Sequence, residues 1–460
     1  MSLIKSISGF RGTIGGRPND NLTPIDIVKF ASAYGTWLKS KSPGPKKVVV
    51  GRDGRMSGEM VEALVEQSLL ALGIDVIHLG LSTTPTVEMS VFFEKADGGI
   101  ILTASHNPKE WNALKLLNEK GEFVSGDEGK TILTLAANED FNYAPVDEMG
   151  KVITNNDSLE KHINAILAYP LVDVNAIKAA NFTVVVDAIN SSGAFTVPAL
   201  LNAIGVSNIK VLNAEMTGNF AHNPEPLKEH LTDLCSTVLK EKAHLGIAVD
   251  PDVDRLCFVS ENGELFGEEY TLVAVADYIL QNKKGATVSN LSSTRALRDV
   301  TEKYGCTYFA SAVGEVNVVT MMKNQHAVIG GEGNGGIIVP DLHYGRDALI
   351  GIALFLTHLA KSKMTTSALR ASYPAYFMSK KKMDLDGAIS LDKIFAVLET
   401  KFGQHPINKV DGFKIDFEKA WVHLRSSNTE PIIRIYTEAP SQNEADQLAD
   451  EIIAIIGTIK

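Results

Sequence analysis

Cysteine is scarce in this 460-residue chain: Cys235, Cys257 and Cys306, odd in number and widely scattered. That excludes a small disulfide-stapled scaffold and fits a reducing compartment. Long apolar runs are missing as well. The longest, Ala348 to Leu356, falls far short of the roughly 18 residues that a transmembrane helix needs. The opening MSLIKSISGFRGTIGG carries a lysine but no apolar stretch of signal-peptide length. Nor is there an excess of basic charge. With 44 Lys and Arg against 55 Asp and Glu, the formal net charge is −11, which argues against a nucleic-acid or anionic-membrane partner over the whole surface. It leaves room for a local basic pocket. What is present, 45% hydrophobic and 22% charged residues, is ordinary globular material and excludes disorder or a collagen-like repeat. The expectation is a soluble, cytoplasmic protein of about three or four domains.

One pattern recurs three times. An apolar β-branched strand opens each copy, in KKVVVGRDGR, FTVVVDAINSSG and GATVSNLSSTRAL. A helix-length segment follows (60–72, 194–204, 294–304) and ends at Gly73, Gly205 or Gly305, the residue expected at a left-handed C-cap. A second strand comes next, in IDVIHLG, NIKVLN and CTYFAS. Strand, helix, strand with short connections reads as a crossover unit. One large α/β domain with look-alike units is the alternative. The last ninety or so residues differ: a helix over 391–402, strand-like runs GFKIDF, AWVHLR and PIIRIYTEA, then a terminal helix whose apolar face is Ala445, Leu448, Ala449, Ile452, Ile453 and Ile456. The expected fold is three similar α/β domains with mixed sheets (1–152, 153–254, 255–367) and a C-terminal α+β domain (368–460), around a central cleft.

Four polar loops carry the chemistry, and ligands of open α/β sheets gather at strand carboxyl ends. In DPDVDR, Asp250, Asp252 and Asp254 follow the strand LGIAV. Carboxylates so close repel unless a cation sits among them, and hard oxygen ligands select Mg²⁺ or a similar ion. An EF-hand is rejected, because Arg255 stands where that loop needs glycine and a strand precedes it; a solvated acidic turn is the plain alternative. GEGNGG satisfies the dinucleotide-binding spacing, but IIVP follows where a helix should start, so the expectation is a flexible loop in which Glu332 and Asn334 meet ligand hydroxyls, or a purely structural glycine turn. In TASHNP, Ser105 sits on a turn expected to expose its hydroxyl; with His106 beside it, adjacency alone makes no triad. RSSNTEP offers Arg425, Ser427, Asn428 and Thr429, a phosphate-sized donor set or merely a capped turn. Lys115 in WNALKLL and Arg11 in SGFRG are unexceptional alone. Together the loops fit phosphoryl transfer on a polyhydroxylated, phosphorylated substrate.

The four loops, in order and one per domain, resemble those of the α-D-phosphohexomutase family across essentially the whole chain, with weaker support from HNPEP (222–226) and VGE (313–315). The resemblance implies an isomerase that interconverts hexose 6-phosphate and hexose 1-phosphate through a phosphoserine at Ser105 and a bisphosphorylated sugar. Asp250, Asp252 and Asp254 would hold Mg²⁺ together with an oxygen on Ser105. Arg11 and Lys115 would flank the reacting phosphate, and Lys115 or His106 would move the proton, the lysine with a lowered pKa. Arg255 supports that site, Glu332 and Asn334 meet the sugar, and Arg425, Ser427, Asn428 and Thr429 hold the distal phosphate. A glucose 1,6-bisphosphate-type activator is implied, in a monomer or homodimer.

One departure bears on the sugar. Asn334, Gly335 and Gly336 stand where most bacterial members end the loop as Ser-Gly-His. The glycine form resembles a branch assigned to phosphoglucosamine mutases, or to mutases of both glucose and mannose phosphates. The leading expectation is glucosamine 6-phosphate to glucosamine 1-phosphate, with phosphoglucomutase/phosphomannomutase activity as the alternative. A phosphosugar-binding protein without catalysis and a metal-dependent phosphatase are the rivals from other classes.

Overall fold

The computed structural model describes residues 2–6, 9–384, 390–426 and 432–459. The chain forms two compact units, Met1–Thr271 with Gly335–Ala368, and Leu272–Asn334 with Leu369–Lys460.

The first unit opens with β1 (Ile4–Ser6), β2 (Gly9–Thr13), α1 (Pro24–Lys41), β3 (Lys46–Arg52), α2 (Gly58–Ala71) and β4 (Ile74–Leu81). Then come α3 (Thr84–Phe93), β5 (Gly98–Leu102), β6 (Trp111–Leu117), α4 (Gly126–Asn138) and β7 (Val152–Thr154). These strands make one sheet, ordered β1-β2-β6-β5-β3-β4-β7. It is mixed: β3 pairs parallel with β4 and β5, whereas β6 runs antiparallel to both β5 and β2. Because side chains alternate across a strand, Val48, Val50, Ile100 and Leu102 enter a core with α1 and α2, while Val49, Ile77 and Ile101 meet Val87 and Val91 of α3 on the other face. The strands are apolar on both sides because both faces are covered.

The chain continues with α5 (Ser158–Ala168), α6 (Val174–Ala180), β8 (Thr183–Asp187), α7 (Gly193–Ala203), β9 (Asn208–Leu212), α8 (Thr232–Glu241), β10 (Leu245–Val249) and β11 (Leu256–Ser260). Their sheet, β11-β10-β8-β9, is again mixed, with β10 and β11 forming an antiparallel hairpin. The acidic sequence DPDVDR is the connection of that hairpin.

Next follow α9 (Glu268–Asn282), β12 (Thr287–Asn290), α10 (Ala296–Lys303), β13 (Tyr308–Ser311), α11 (Glu315–Asn324) and β14 (Ile329–Glu332). In the second unit β12 pairs parallel with β13 and β14. The chain then contributes β15 (Gly336–Ile338) and α12 (Ala348–Ser362) to the first unit. A strand after GEGNGG agrees with rejecting a dinucleotide fingerprint. Gly331 and Glu332, however, belong to β14 itself instead of a flexible loop. The longest apolar run lies in α12, which is buried all round from Ala348 to Leu359 and packs on α5, α6 and α7.

After α13 (Thr366–Ala371) come β16 (Phe377–Asp384), α14 (Leu391–Phe402), β17 (Ile407–Asn408), β18 (Phe413–Asp416), β19 (Trp421–Ser426), β20 (Ile432–Ala439) and α15 (Gln442–Gly457). They build an antiparallel sheet, β16-β20-β19-β18-β17, whose apolar face packs on Ile394 and Leu398 of α14 and Ile452 and Ile456 of α15. Gly73, Gly205 and Gly305 do take positive φ after their helices, at 77°, 91° and 68°.

Candidate active site

The serine loop leaves the end of β5 on a frame of buried polar atoms. The Arg55 guanidinium, fully enclosed, donates to Pro108 O and Trp111 O (2.7 and 2.8 Å), to Asn107 O (2.7 Å) and to Ser105 O, and pairs with Asp53. Thr103 Oγ1 donates to Asp53 Oδ2 and in turn accepts from Ser105 N. This frame holds Ser105 at φ 49°, a left-handed conformation uncommon for a residue with a Cβ. The hydroxyl is not exposed as the sequence led us to expect. Ser105 is 7% accessible, and its Oγ donates to Asp250 Oδ2 at 2.7 Å. The cause is a partner brought in from the hairpin loop of another sheet.

In that loop Asp250, Asp252 and Asp254 are all buried, with carboxylate oxygens within 4.8 Å of one another. Backbone N–H groups of Asp254 and Arg255 donate to Asp250 Oδ1, and Val253, just before them, takes φ 60°, a strained setting for a β-branched residue. Thr84 Oγ1 donates to Asp252 Oδ2 at 2.6 Å, Lys115 Nζ lies 2.7 Å from the same oxygen, and Arg346 Nη2 donates to Asp254 Oδ2 at 2.7 Å. Asp252 Oδ1 and Asp254 Oδ1 remain buried without a hydrogen-bond partner among the described residues. Two orphaned anionic oxygens beside a third carboxylate make a donor set for a hard divalent cation, so the residues fit a metal. Burial, then Asp252 and Asp254, push the Asp250 carboxyl well up; burial acts the same way on Asp252, but Lys115 and Thr84 hold it below its usual range.

Around these acids stand the basic groups. Arg11 on β2 and Lys115 on β6 share a face of the sheet, because Arg11 pairs with Ala113 and Gly9 with Lys115 in the antiparallel ladder. Burial would lower the Lys115 pKa, but the Asp252 and Asp254 charges raise it above its ordinary value. The expected lowered lysine is therefore corrected: two carboxylates outweigh the neighbouring cations. His106 Nδ1 lies 3.5 Å from Ser105 Oγ; burial, with the Arg255 and Arg346 charges, takes its pKa down to about 2, so the ring is neutral. Arg255 Nε sits 4.0 Å from Asp250 and 3.9 Å from Asp254, and its Nη1 3.9 Å from Glu225 of the HNPEP segment. His222 of that segment pairs with Asp187 instead.

Behind the acidic loop lies a buried charge network. Asp347 caps the N-terminus of α12 and meets His162 Nε2 at 3.0 Å and His343 Nε2 at 3.3 Å, while His343 Nδ1 is 3.4 Å from Glu88. Burial would lower the His343 pKa, but Asp347 and Glu88 raise it to about 10.

The second unit holds the other polar loops. Glu332 Oε1 accepts from Asn290 Nδ2 (2.9 Å) and Gly314 N (3.2 Å), and Asn334 Nδ2 donates to Glu332 Oε2 (3.4 Å). Arg425, at the end of β19, has its Nε 2.9 Å from Asp411 Oδ2. Ser427, Asn428 and Thr429 lie outside the described residues. Sequence reasoning missed Arg55, Thr84 and Arg346; only GRDGR, two arginines at a strand end, gave a signal.

Three α/β domains followed by an α+β domain, with the serine loop in the first and the acidic hairpin loop in the second, are the architecture of the phosphohexomutases. Family models described as phosphoglucomutase/phosphomannomutase domains I, II, III and the C-terminal domain match residues 4–143, 160–263, 267–376 and 380–455. The chain belongs to the phosphoglucomutase/phosphomannomutase family. It is 37% identical over 440 residues to a phosphoglucomutase/phosphomannomutase of Thermococcus kodakarensis, covering 94% of this chain and 95% of that one. A phosphoglucosamine/phosphogalactosamine mutase of Sulfurisphaera tokodaii is 30% identical over 99% of both chains. The fold matches a solved phosphoglucomutase/phosphomannomutase family protein of Burkholderia thailandensis with a TM-score of 0.83 at 23% identity, over 98% of this chain and 96% of that one. Among the described residues no helix is long and apolar enough to cross a membrane.

Proposed function

We propose that this phosphohexomutase-family enzyme interconverts glucosamine 6-phosphate and glucosamine 1-phosphate in the cytoplasm, through phospho-Ser105. The observation that carries the phosphoserine assignment is Ser105 Oγ bonded to Asp250 beside two orphaned carboxylate oxygens. Asp250, Asp252 and Asp254 would hold Mg²⁺. When bound, that ion neutralises charge on the transferring phosphoryl group. A phosphoryl group of about −2 and a divalent cation together add almost no net charge to the pocket.

The free hydroxyl of the hexose monophosphate attacks the phosphorus on Ser105. An O–P bond to the sugar forms as the P–Oγ bond breaks, and the proton lost by the sugar hydroxyl is balanced by the one that Oγ regains. Asp250 then accepts the restored O–H. The bisphosphate turns over and returns its other phosphoryl group to Ser105. Lys115, held charged, and Arg11 donate to the phosphoryl oxygens; Arg255 steadies Asp250 and Asp254. His106 stands neutral beside Ser105 Oγ, and its pKa of about 2 makes it a poor proton acceptor. Glu332 and Asn334 read the sugar, and Arg425, Ser427, Asn428 and Thr429 hold the distal phosphate. A sugar bisphosphate of the glucose 1,6-bisphosphate type would prime Ser105.

The relative named for amino-sugar phosphates and the small Gly335-Gly336 pair support the amino sugar. The 37% identical relative favours a second reading, glucose and mannose phosphates. ³¹P NMR with Mg²⁺, a trace of glucose 1,6-bisphosphate and each hexose 1-phosphate in turn separates them. Rapid conversion of the glucosamine compound alone supports the first; equal conversion of glucose or mannose 1-phosphate moves the assignment to the second. Release of inorganic phosphate without isomerisation would overturn both.

A further inference from the structure

Arg425 does not stand alone in the second unit. Asp411, in the turn between β17 and β18, places Oδ2 2.9 Å from Arg425 Nε. Arg425 Nε is buried and its N–H is not aligned for a hydrogen bond, so the contact is an ion pair that tethers the guanidinium by charge. Neither terminal nitrogen of Arg425 has a partner among the described residues, and those two nitrogens form the planar fork that matches two phosphate oxygens. The same Asp411 oxygen accepts from Val313 N at 2.8 Å. The next residue, Gly314, donates its N–H to Glu332. One carboxylate therefore links the segment that holds Glu332 to the strand end that carries Arg425.

The turn itself is built onto β19. His423 Nε2, two residues before Arg425, lies 2.6 Å from Asp411 O, and its Nδ1 is 2.9 Å from Ser292 Oγ. Gly412 follows with φ 75°, and a Cβ there would stand 2.1 Å from Leu424 O and 3.1 Å from Arg425 Cγ. Only glycine lets the turn lie this close to the strand. Asp411 is thus fixed from both its backbone and its side chain.

We infer that Asp411 is the positioning residue of the distal-phosphate clamp: it holds Arg425 by Nε, leaves the fork to the phosphate, and registers that clamp to the Val313–Gly314 segment that holds Glu332. The inference rests on the mutase reading, in which Glu332 meets the sugar and Arg425 the phosphate. A hexose monophosphate presents its hydroxyls and its phosphate at a fixed span, so a preset span lowers the ordering cost of binding.

The test is a double-mutant cycle on the full-length, Mg²⁺-supplied enzyme with Asp411→Asn, Arg425→Ala and the pair. The substrate is whichever of glucosamine 1-phosphate and glucose 1-phosphate the wild type turns over. Asn keeps an acceptor for Val313 N and removes the charge; Asp411→Ser serves if the Asn variant does not fold. We expect Asp411→Asn to raise KM on the order of tenfold, as for a lost contact to a charged group, with a much smaller change in kcat. In the Arg425→Ala background the same change should add less than about twofold to the loss in kcat/KM, because its target is already gone. An unchanged KM, or a double variant worse than Arg425→Ala by the full Asp411→Asn factor, overturns the inference while leaving the mutase reading standing. A wild type that turns over no hexose phosphate removes both.

Discussion

Arg55→Lys tests whether the buried guanidinium is what sets the serine loop. Arg55 spans the carbonyls of Ser105 and Asn107 with one terminal nitrogen and those of Pro108 and Trp111 with the other. Lysine keeps the charge that faces Asp53 but offers a point donor on a different stem, and cannot cover both pairs. At least two buried carbonyls then lose their partners, at roughly 1–1.5 kcal/mol each, or about 2–3 kcal/mol for the loop. At 1.36 kcal/mol per factor of ten, local opening becomes on the order of 30- to 160-fold more frequent. Hydrogen exchange measured by mass spectrometry reads this directly. Peptides spanning 103–111 should exchange faster by that factor while peptides of β18 to β20 keep their wild-type rates. Mutase turnover should fall in parallel, since the loop carries Ser105. Wild-type exchange over 103–111 in a folded Arg55→Lys protein would refute the reasoning.

Ser105→Ala should lower turnover by orders of magnitude while calorimetric binding of the sugar phosphate survives; comparable turnover in the variant would end the phosphoserine assignment. Arg425→Ala should act mainly on KM, because a phosphate contact is present in ground and transition states alike, and a loss confined to kcat would place the residue at the reacting phosphate. Mn²⁺ used as a paramagnetic stand-in should bind the wild type and bind Asp252→Asn at least tenfold more weakly, as expected when a carboxylate ligand is neutralised; equal binding would remove the acidic loop as the metal site. His343, raised to about 10 by Asp347 and Glu88 and facing His162 as well, stabilises the fold fully below its ordinary 6.5 and loses that contribution as pH climbs through about 10. The urea-midpoint gap between wild type and His343→Gln should therefore shrink from pH 6 to pH 10, and a constant gap would disprove the charged histidine.

Much of this was legible because the informative residues are local. The runs VVV and LGIAV declare buried strands, the glycines after the helices declare their ends, and Asp250, Asp252 and Asp254 sit within five residues of one another. What stayed hidden depends on distant partners. The burial of Ser105 is decided by Asp250, 145 positions away in sequence, and the charge on Lys115 by Asp252, 137 positions away. Thr84 and Arg346 reach the same loop across 168 and 92 positions, and neither has a neighbour that sets it apart from other threonines and arginines. β16 was missed because SKKKMD has one apolar residue in its six, with Lys380, Lys382 and Asp384 exposed; it is a sheet-edge strand, where lysines discourage pairing with another chain.

The path of the chain has a consequence for its synthesis. The first compact unit is closed by α12, whose residues from Ala348 to Leu359 are buried and which packs on α5, α6 and α7. Those three helices are translated long before α12 exists. At about 5–20 residues per second, the stretch from the end of α7 at Ala203 to the end of α12 at Ser362 takes roughly 8–32 seconds to make. For that interval the nascent chain displays the apolar seat of α12 to whatever is near the ribosome. A chaperone that shields this seat, or a slow stretch of codons after residue 368, would govern how much of the enzyme reaches its native state.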